Sequence, residues 1–205
     1  TLECWLNRGA HDQWELIVGN GGGWSNKGYH IMSSPQGGVR FELQSETTKS
    51  ILDSNTIIDD QWYHVAATYN GNTMSIYING YLDVSMEHLN GMNSQETDLG
   101  IAFGLYSSYD GSYFEGQIDE VRVWNAARSQ EEIRANMNQP LVGPETGLVG
   151  YWNFDHGVAI DASGNDNHGT LYGDASIIEA DFPYSPIVTQ NNIDIGSSLM
   201  EESRS

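Results

Sequence analysis

Asp119 and Glu120 stand side by side within Gly116 to Trp124, GQIDEVRVW, where Ile118, Val121 and Val123 supply strand character. A carboxylate removed from water without a partner costs several kcal/mol, so a pair placed here requires an offset. Two chemistries supply one. Arg122, Arg128 or Arg40 can take the charge through charge-assisted hydrogen bonds. Alternatively, a hard cation such as Ca²⁺, which collects carboxylate and carbonyl oxygens at roughly 2.3–2.6 Å, can sit against Asp119. Alternation along the strand puts Glu120 on the face opposite Asp119. A second oxygen-rich run, DASGNDNHG from Asp161 to Gly169, offers Asp161, Asn165, Asp166 and Asn167. These serve either as cation ligands or as turn caps bonded to their own backbone, and they lack the ordered spacing and terminal bidentate glutamate of an EF-hand.

Aromatic rings gather in or beside two polar loops, GNGGGWSNKG at Gly19 to Gly28 and YSSYDGSYFE at Tyr106 to Glu115. A ring offers an apolar face to the C–H side of a sugar, while nearby amides and carboxylates bind its hydroxyls. Trp24, Asn26, Tyr106, Tyr109 and Asp110 are therefore the expected ligand-binding residues. The competing location is an exposed sheet face, where Tyr77 or Arg40 would project. Tyr29, Trp5, Trp62 and Trp124 fall in strand patterns and are expected to anchor the core.

Catalytic signatures are weak. Retaining glycosidases of β-sandwich type need two carboxyl groups about 5–5.5 Å apart on one face. The adjacent pairs Asp119-Glu120, Asp59-Asp60 and Glu131-Glu132 have the wrong spacing. The six histidines are scattered, and neither G-x-S-x-G nor a phosphate-cradling G-x-x-x-x-G-K-[ST] occurs.

The elements that must position these residues read as short strands. Leu2 to Leu6, Trp14 to Val18, Tyr29 to Ser33, Val39 to Leu43, Trp62 to Tyr69, Met74 to Ile78, Leu99 to Leu105 and Gly116 to Trp124 carry strand patterns, with Asn70-Gly71 and Asn79-Gly80 as turn signals. After Trp124 the period changes: NAARSQEEIRANM places Ala127, Ile133 and Met137 at helical spacing, with Ser129 as N-cap and Glu132 three residues on.

The 205 residues suit one large all-β domain. A net charge of −20 repels phosphate backbones and anionic lipid surfaces, which argues against nucleic acid and membrane partners. The same acidity serves solubility or favours divalent cations. Cys4 is the only cysteine, so neither an internal disulfide nor a zinc cluster is available, and it is expected as a small core residue. No apolar run reaches membrane-spanning length. The chain opens directly in a strand without a signal sequence, as an excised piece of a longer protein would.

GQIDEVRVW, WYHVAATYNG and MSIYING, in this order and spacing, resemble the laminin G-like, concanavalin A-like superfamily, nearer its pentraxin branch. The resemblance implies a two-sheet antiparallel jelly-roll sandwich with one short helix. It implies further that Asp119 holds a structural Ca²⁺ together with main-chain carbonyls of the glycine-rich loop at Gly19 to Gly23, Asn20 and Gly21 among them; Asp161, from its own oxygen-rich run, is the second metal candidate. LVGYWNFDHGVAIDASGNDNHGTLYG, Leu148 to Gly173, resembles the opening segment of such a domain. It either begins a second, truncated copy or closes the same sandwich; closure is the expectation, sending Trp152, Phe154 and Leu171 into the core, so that 1–182 form one domain and 183–205 a linker or tail with a weak edge strand at 187–195. The function implied is a noncatalytic, calcium-stabilised module of a secreted or cell-surface bacterial protein, recognising carbohydrate in adhesion or targeting. The alternatives are a structural or protein-binding spacer and, third, a glycan-active enzyme.

Overall fold

The computed structural model describes residues 1–21, 28–45, 48–55, 57, 59–92, 98–102 and 113–178. Among the described residues, eleven strands form two antiparallel sheets. The first is ordered β11-β10-β1-β6-β7-β8, from β11 (Leu148–Trp152), β10 (Gly116–Trp124), β1 (Leu2–Arg8), β6 (Trp62–Tyr69), β7 (Thr73–Ile78) and β8 (Tyr81–Glu87). The second is ordered β5-β4-β3-β2-β9, from β5 (Lys49–Asp53), β4 (Val39–Gln44), β3 (Gly28–Ser33), β2 (Glu15–Gly21) and β9 (Leu99–Ile101). The two sheets make the expected jelly-roll sandwich.

Alternation explains what lies between the sheets. Leu2, Cys4 and Leu6 of β1, Val65 and Ala67 of β6, Met74 and Ile76 of β7, and Val121 and Val123 of β10 join Ile17, Ile31, Phe41, Leu43 and Leu52 of the second sheet in one buried cluster. Cys4 is fully buried, and burial pushes its thiol pKa up.

Trp5 and Trp124 belong to a different layer. Both are buried outside the main core: Trp5 Nε1 donates to the Met137 carbonyl at 2.7 Å, and Trp124 packs with Leu148, Tyr151 and, in the segment after β10, Leu141, while its Nε1 donates to Glu3 Oε1 at 2.7 Å. That segment contains α1 (Gln130–Asn136), which begins as the sequence predicts. The Ser129 side chain accepts from the Glu132 N–H, and the Glu132 carboxylate accepts from the Ser129 N–H, a reciprocal capping box.

Two strands, β5 and β8, escape sequence reading. Only Leu52 of β5 is buried, and Tyr81 and Leu82 of β8 are exposed. Each strand is an edge, held by backbone pairing on one side; β5 turns only Leu52 inward, whereas β8 alternates Leu82, Val84 and Met86 with polar residues and packs Val84 and Met86 against the core. The Asn79-Gly80 signal is the β7–β8 turn, with φ of 51° and 75° at its two central residues. Gly80 is also required for packing, since a methyl group there would lie 2.5 Å from Arg134 Cγ and 2.9 Å from Met137 Sδ.

β11 pairs with β10, Val121 opposite Trp152 and Val123 opposite Gly150, and Trp152 enters the main core with Phe154 packed beside it. Leu171 does not follow: it stays 47% exposed. Residues 187–195 lie outside the described set.

Candidate functional site

β10 does not alternate cleanly across its acidic pair. Glu120 has φ 52°, and three residues of β1, Glu3 to Trp5, span four of β10, Asp119 to Arg122. This extra residue is a β-bulge, a device that re-aims side chains. Glu120 is turned toward Arg122, whose guanidinium it pairs with, and it accepts from the Tyr151 hydroxyl at 2.8 Å. The arginine chemistry is thus realised for Glu120.

Arg122 is 1% exposed and also donates to the carbonyls of Asn136 and Gln139, which close the end of α1. Beside it lie Glu3 and His64, both fully buried. Burial, then the Arg122 charge, depresses the His64 imidazole to about 3, so it is neutral near pH 7. Burial raises the Glu3 carboxyl, opposed by Arg122 and by the Trp124 N–H. This network fastens the helix to the first sheet.

Asp119 remains apart from it. Its Oδ1 accepts the Glu120 N–H at 2.7 Å, and among the described residues no cationic side chain pairs with it. Burial first, then the neighbouring Glu120 and Asp155 charges, push its carboxyl up to about 6. A half-buried carboxylate among like charges gains from a bound cation, so Asp119 fits the ligand role chemically. Among the described residues, no group of three or more His, Cys, Asp or Glu is placed to hold a metal ion, so most ligands would have to be main-chain or water oxygens. Asn20 is 6% exposed in β2, opposite Tyr29 and Leu99, and the Gly21 backbone lies at the end of the same strand.

Asp161 does other work. Its Oδ1 accepts the N–H groups of Tyr151 and Ser163, and its Oδ2 that of Asn167, all at 2.9 Å. Asn165 Nδ2 donates to the carbonyls of Leu148 and Val149, Asn167 Nδ2 to that of Val149, and the Ala162 N–H to that of Tyr151. The run that read as either ligand set or turn cap therefore hydrogen-bonds along the outer side of β11, blocking a sheet edge that would otherwise pair with another chain.

Trp24, Asn26, Tyr106, Tyr109 and Asp110 lie outside the described residues. The described end of the second loop, Tyr113 to Glu115, forms one side of an open pocket of about 780 Å³, and the β1–β2 connection, Ala10 to Gln13 with Glu15, forms the other. The Gly9 N–H donates to the Glu115 carbonyl at 2.8 Å, and the Glu115 N–H donates to Glu15 Oε2 at 3.0 Å, which locks the two segments together. His11 Nδ1 donates to the Gln13 carbonyl at 2.7 Å, and its Nε2 faces Ser33 Oγ at 2.9 Å and Glu15 Oε2 at 3.5 Å. Burial holds the Glu15 carboxyl above its ordinary range despite the Glu115 N–H. Tyr113 stands 57% exposed at the rim. Sequence reasoning missed this pocket's first side: HDQWE shows only a short polar run before a strand.

The competing candidates project from opposite sheets. Arg40 is committed: it binds Asp53 through two nitrogens, at 2.6 and 2.9 Å, and lies 3.9 Å above the Trp14 ring. Two residues along the same strand, buried Glu42 accepts from Lys49 at 2.6 Å and faces His30 Nε2 at 2.9 Å. Tyr77 lies in β7 opposite Ala66. No helix among the described residues is long and apolar enough to cross a membrane.

Two antiparallel sheets around one core, with the acidic-pair strand inside the larger, are the architecture of the concanavalin A-like lectin/glucanases superfamily; its family model matches residues 1–134, and the chain belongs to it. Mouse pappalysin-1 is 32% identical over 101 residues, 47% of this chain but 6% of that protein, so the chain spans a small fraction of this relative's length. Two solved structures share the fold. A candidate carbohydrate-binding protein from Bacteroides ovatus gives a TM-score of 0.67 at 22% identity, over 86% of this chain and 54% of that one. The CBM40 of a Ruminococcus gnavus IT-sialidase, bound to α2,3-sialyllactose, gives 0.54 at 16%, over 65% and 79%.

Proposed function

We propose that this chain is a noncatalytic carbohydrate-binding module of a secreted or cell-surface protein, with Ca²⁺ held near Asp119 as a stabilising ion. The observation that carries this reading is the open pocket between the β1–β2 connection and Tyr113 to Glu115, in a member of a superfamily that includes lectins. It combines an exposed ring at the rim with carboxylate, amide and imidazole groups, the mixture that contacts both faces of a sugar. It is built on connections fixed by the rigid sandwich, where recognition can vary without disturbing the core. The carbohydrate-binding folds of Bacteroides and Ruminococcus give the reading a precedent.

A glycan array probed with and without EDTA tests it. Retention of defined oligosaccharides, weakened when metal is removed, is the expected result; a blank array from a chain with an intact cooperative melt favours the protein-binding spacer instead. A hydrolytic reading would draw on Glu15, whose raised carboxyl lies in the same pocket as Glu115. Incubating a retained oligosaccharide with the protein and finding it intact by mass spectrometry excludes that reading.

A further inference from the structure

The described residues that line the end pocket contribute three carboxylates, Asp12, Glu15 and Glu115, and no lysine or arginine. The nearest arginine of β1, Arg8, is occupied elsewhere: it pairs with Asp59 at 2.7 Å and donates to the Ser34 carbonyl at 3.0 Å. The remaining polar groups suit hydroxyls. Gln13 presents an amide, and Asp12 and Glu115 present exposed carboxylates that accept from O–H donors. Tyr113 supplies the stacking face. Among the described lining residues, a sugar carboxylate or sulfate entering here would meet three carboxylates and no lysine or arginine, with the His11 ring already engaged by the Gln13 carbonyl, Ser33 and Glu15.

From this geometry, and resting on the carbohydrate reading above, we infer that the pocket takes uncharged pyranose residues and rejects anionic sugars, with Glu115 and Asp12 as the specificity-determining groups and Tyr113 as the stacking residue. This sets the chain apart from its structural neighbour bound to a sialylated sugar, although the two share a fold.

The test uses the full chain and an array of uncharged oligosaccharides (lactose, cellotetraose, mannotetraose and N-acetylchitotetraose) beside carboxylate-bearing ones (3′-sialyllactose and a galacturonic acid tetramer). Affinities follow by titration at 0.15 M salt, where charges beyond about 8 Å are screened and the −20 net charge matters least. The expected result is binding of at least one uncharged sugar, with anionic ones weaker by about tenfold or more. Tyr113→Ala should weaken the uncharged ligand about tenfold at unchanged melting temperature. Glu115→Lys should narrow the neutral-to-anionic ratio by about fivefold or more. Glu131→Lys, the same charge change on exposed α1 at the far end of β10, should leave the ratio unaltered.

Retention of anionic sugars in preference to neutral ones overturns the inference while carbohydrate binding stands. Equal responses of Glu115→Lys and Glu131→Lys overturn it by assigning selectivity to net charge. Neutral-sugar binding untouched by Tyr113→Ala moves the ligand out of this pocket. A blank array removes both the inference and the reading beneath it.

Discussion

Asp119→Asn tests whether the carboxylate in β10 is a liability that a cation relieves. An ordinary aspartate titrates at 3.8 and Asp119 at about 6. Each pKa unit is worth about 1.4 kcal/mol, so full expression of the difference would be about 3 kcal/mol. The side chain is half-exposed, and solvent screening reduces this to about 1–2 kcal/mol. Because the folded state holds this proton more tightly than the unfolded chain, the group favours folding below about pH 4. That contribution is lost as pH rises through about 6, above which the ionised carboxylate carries the whole penalty. Asparagine keeps an Oδ1 acceptor for the Glu120 N–H and carries no charge. In EDTA at pH 7.5, the variant should therefore melt higher than the parent by about 2–8 °C, at 2–4 °C per kcal/mol for a chain of this size. The gap should close toward pH 4. Adding Ca²⁺ at about 100 times its Kd should stabilise the parent by about 2.7 kcal/mol and the variant by little, because only a native-state ligand shifts the melt. Scanning calorimetry from pH 4 to 8, with EDTA or millimolar Ca²⁺, reads all of these. Parallel pH profiles would refute the charge argument, and equal Ca²⁺ shifts would remove Asp119 from the metal site.

Trp152→Ala should cost about 3–5 kcal/mol in urea denaturation, because the ring is 6% exposed within the main core; a cost under 1 kcal/mol would mean that β11 is dispensable. Arg122→Ala should cost about 3–5 kcal/mol by leaving Glu3 and Glu120 without their buried counter-charge, and adding Glu3→Gln should recover part of it in a double-mutant cycle; strict additivity contradicts the network. Asp161→Ala should cost about 1–3 kcal/mol near pH 7 and expose the edge of β11 to self-association, seen by light scattering. Burial opposes ionisation of Asp161, but the Ser163 side chain and the N–H groups of Tyr151, Ser163 and Asn167 outweigh it and hold the carboxyl below 3.8. The stability it gives is therefore present above about pH 4 and lost in acid, where variant and parent should converge.

The local chemistry of several elements was legible in the chain. The β-branched Ile118, Val121 and Val123 mark Gly116 to Trp124 as a strand, which is β10 to the residue, Ser129 and Glu132 cap α1 as their spacing requires, and Asn79-Gly80 makes a tight turn. Each depends on neighbours within a few positions, so period and capping suffice. Even there the reading stopped short: alternation alone put Glu120 opposite Asp119, whereas a bulge opposite Glu3 to Trp5 hands it to Arg122 and Tyr151. The β8 strand after the turn went unread although Leu82, Val84 and Met86 alternate with Asp83, Ser85 and Glu87, and Val84 and Met86 pack against the core from this edge.

Tertiary structure alone decided the rest, because charges and cavities are assembled from residues distant in sequence. Asp161 reads as a turn cap with metal ligation as the second candidate, and its partner becomes visible only when β11, ten residues earlier in the chain, is placed one hydrogen bond away. Glu15 and Glu115 are 100 residues apart and meet at 3.0 Å, and the pocket they border exists because β1 and β10 are neighbours in one sheet. Sequence determines the residue types along each strand and the turns between them. Which of those residues face one another follows from strand order and register, fixed by how the whole apolar surface is buried at once.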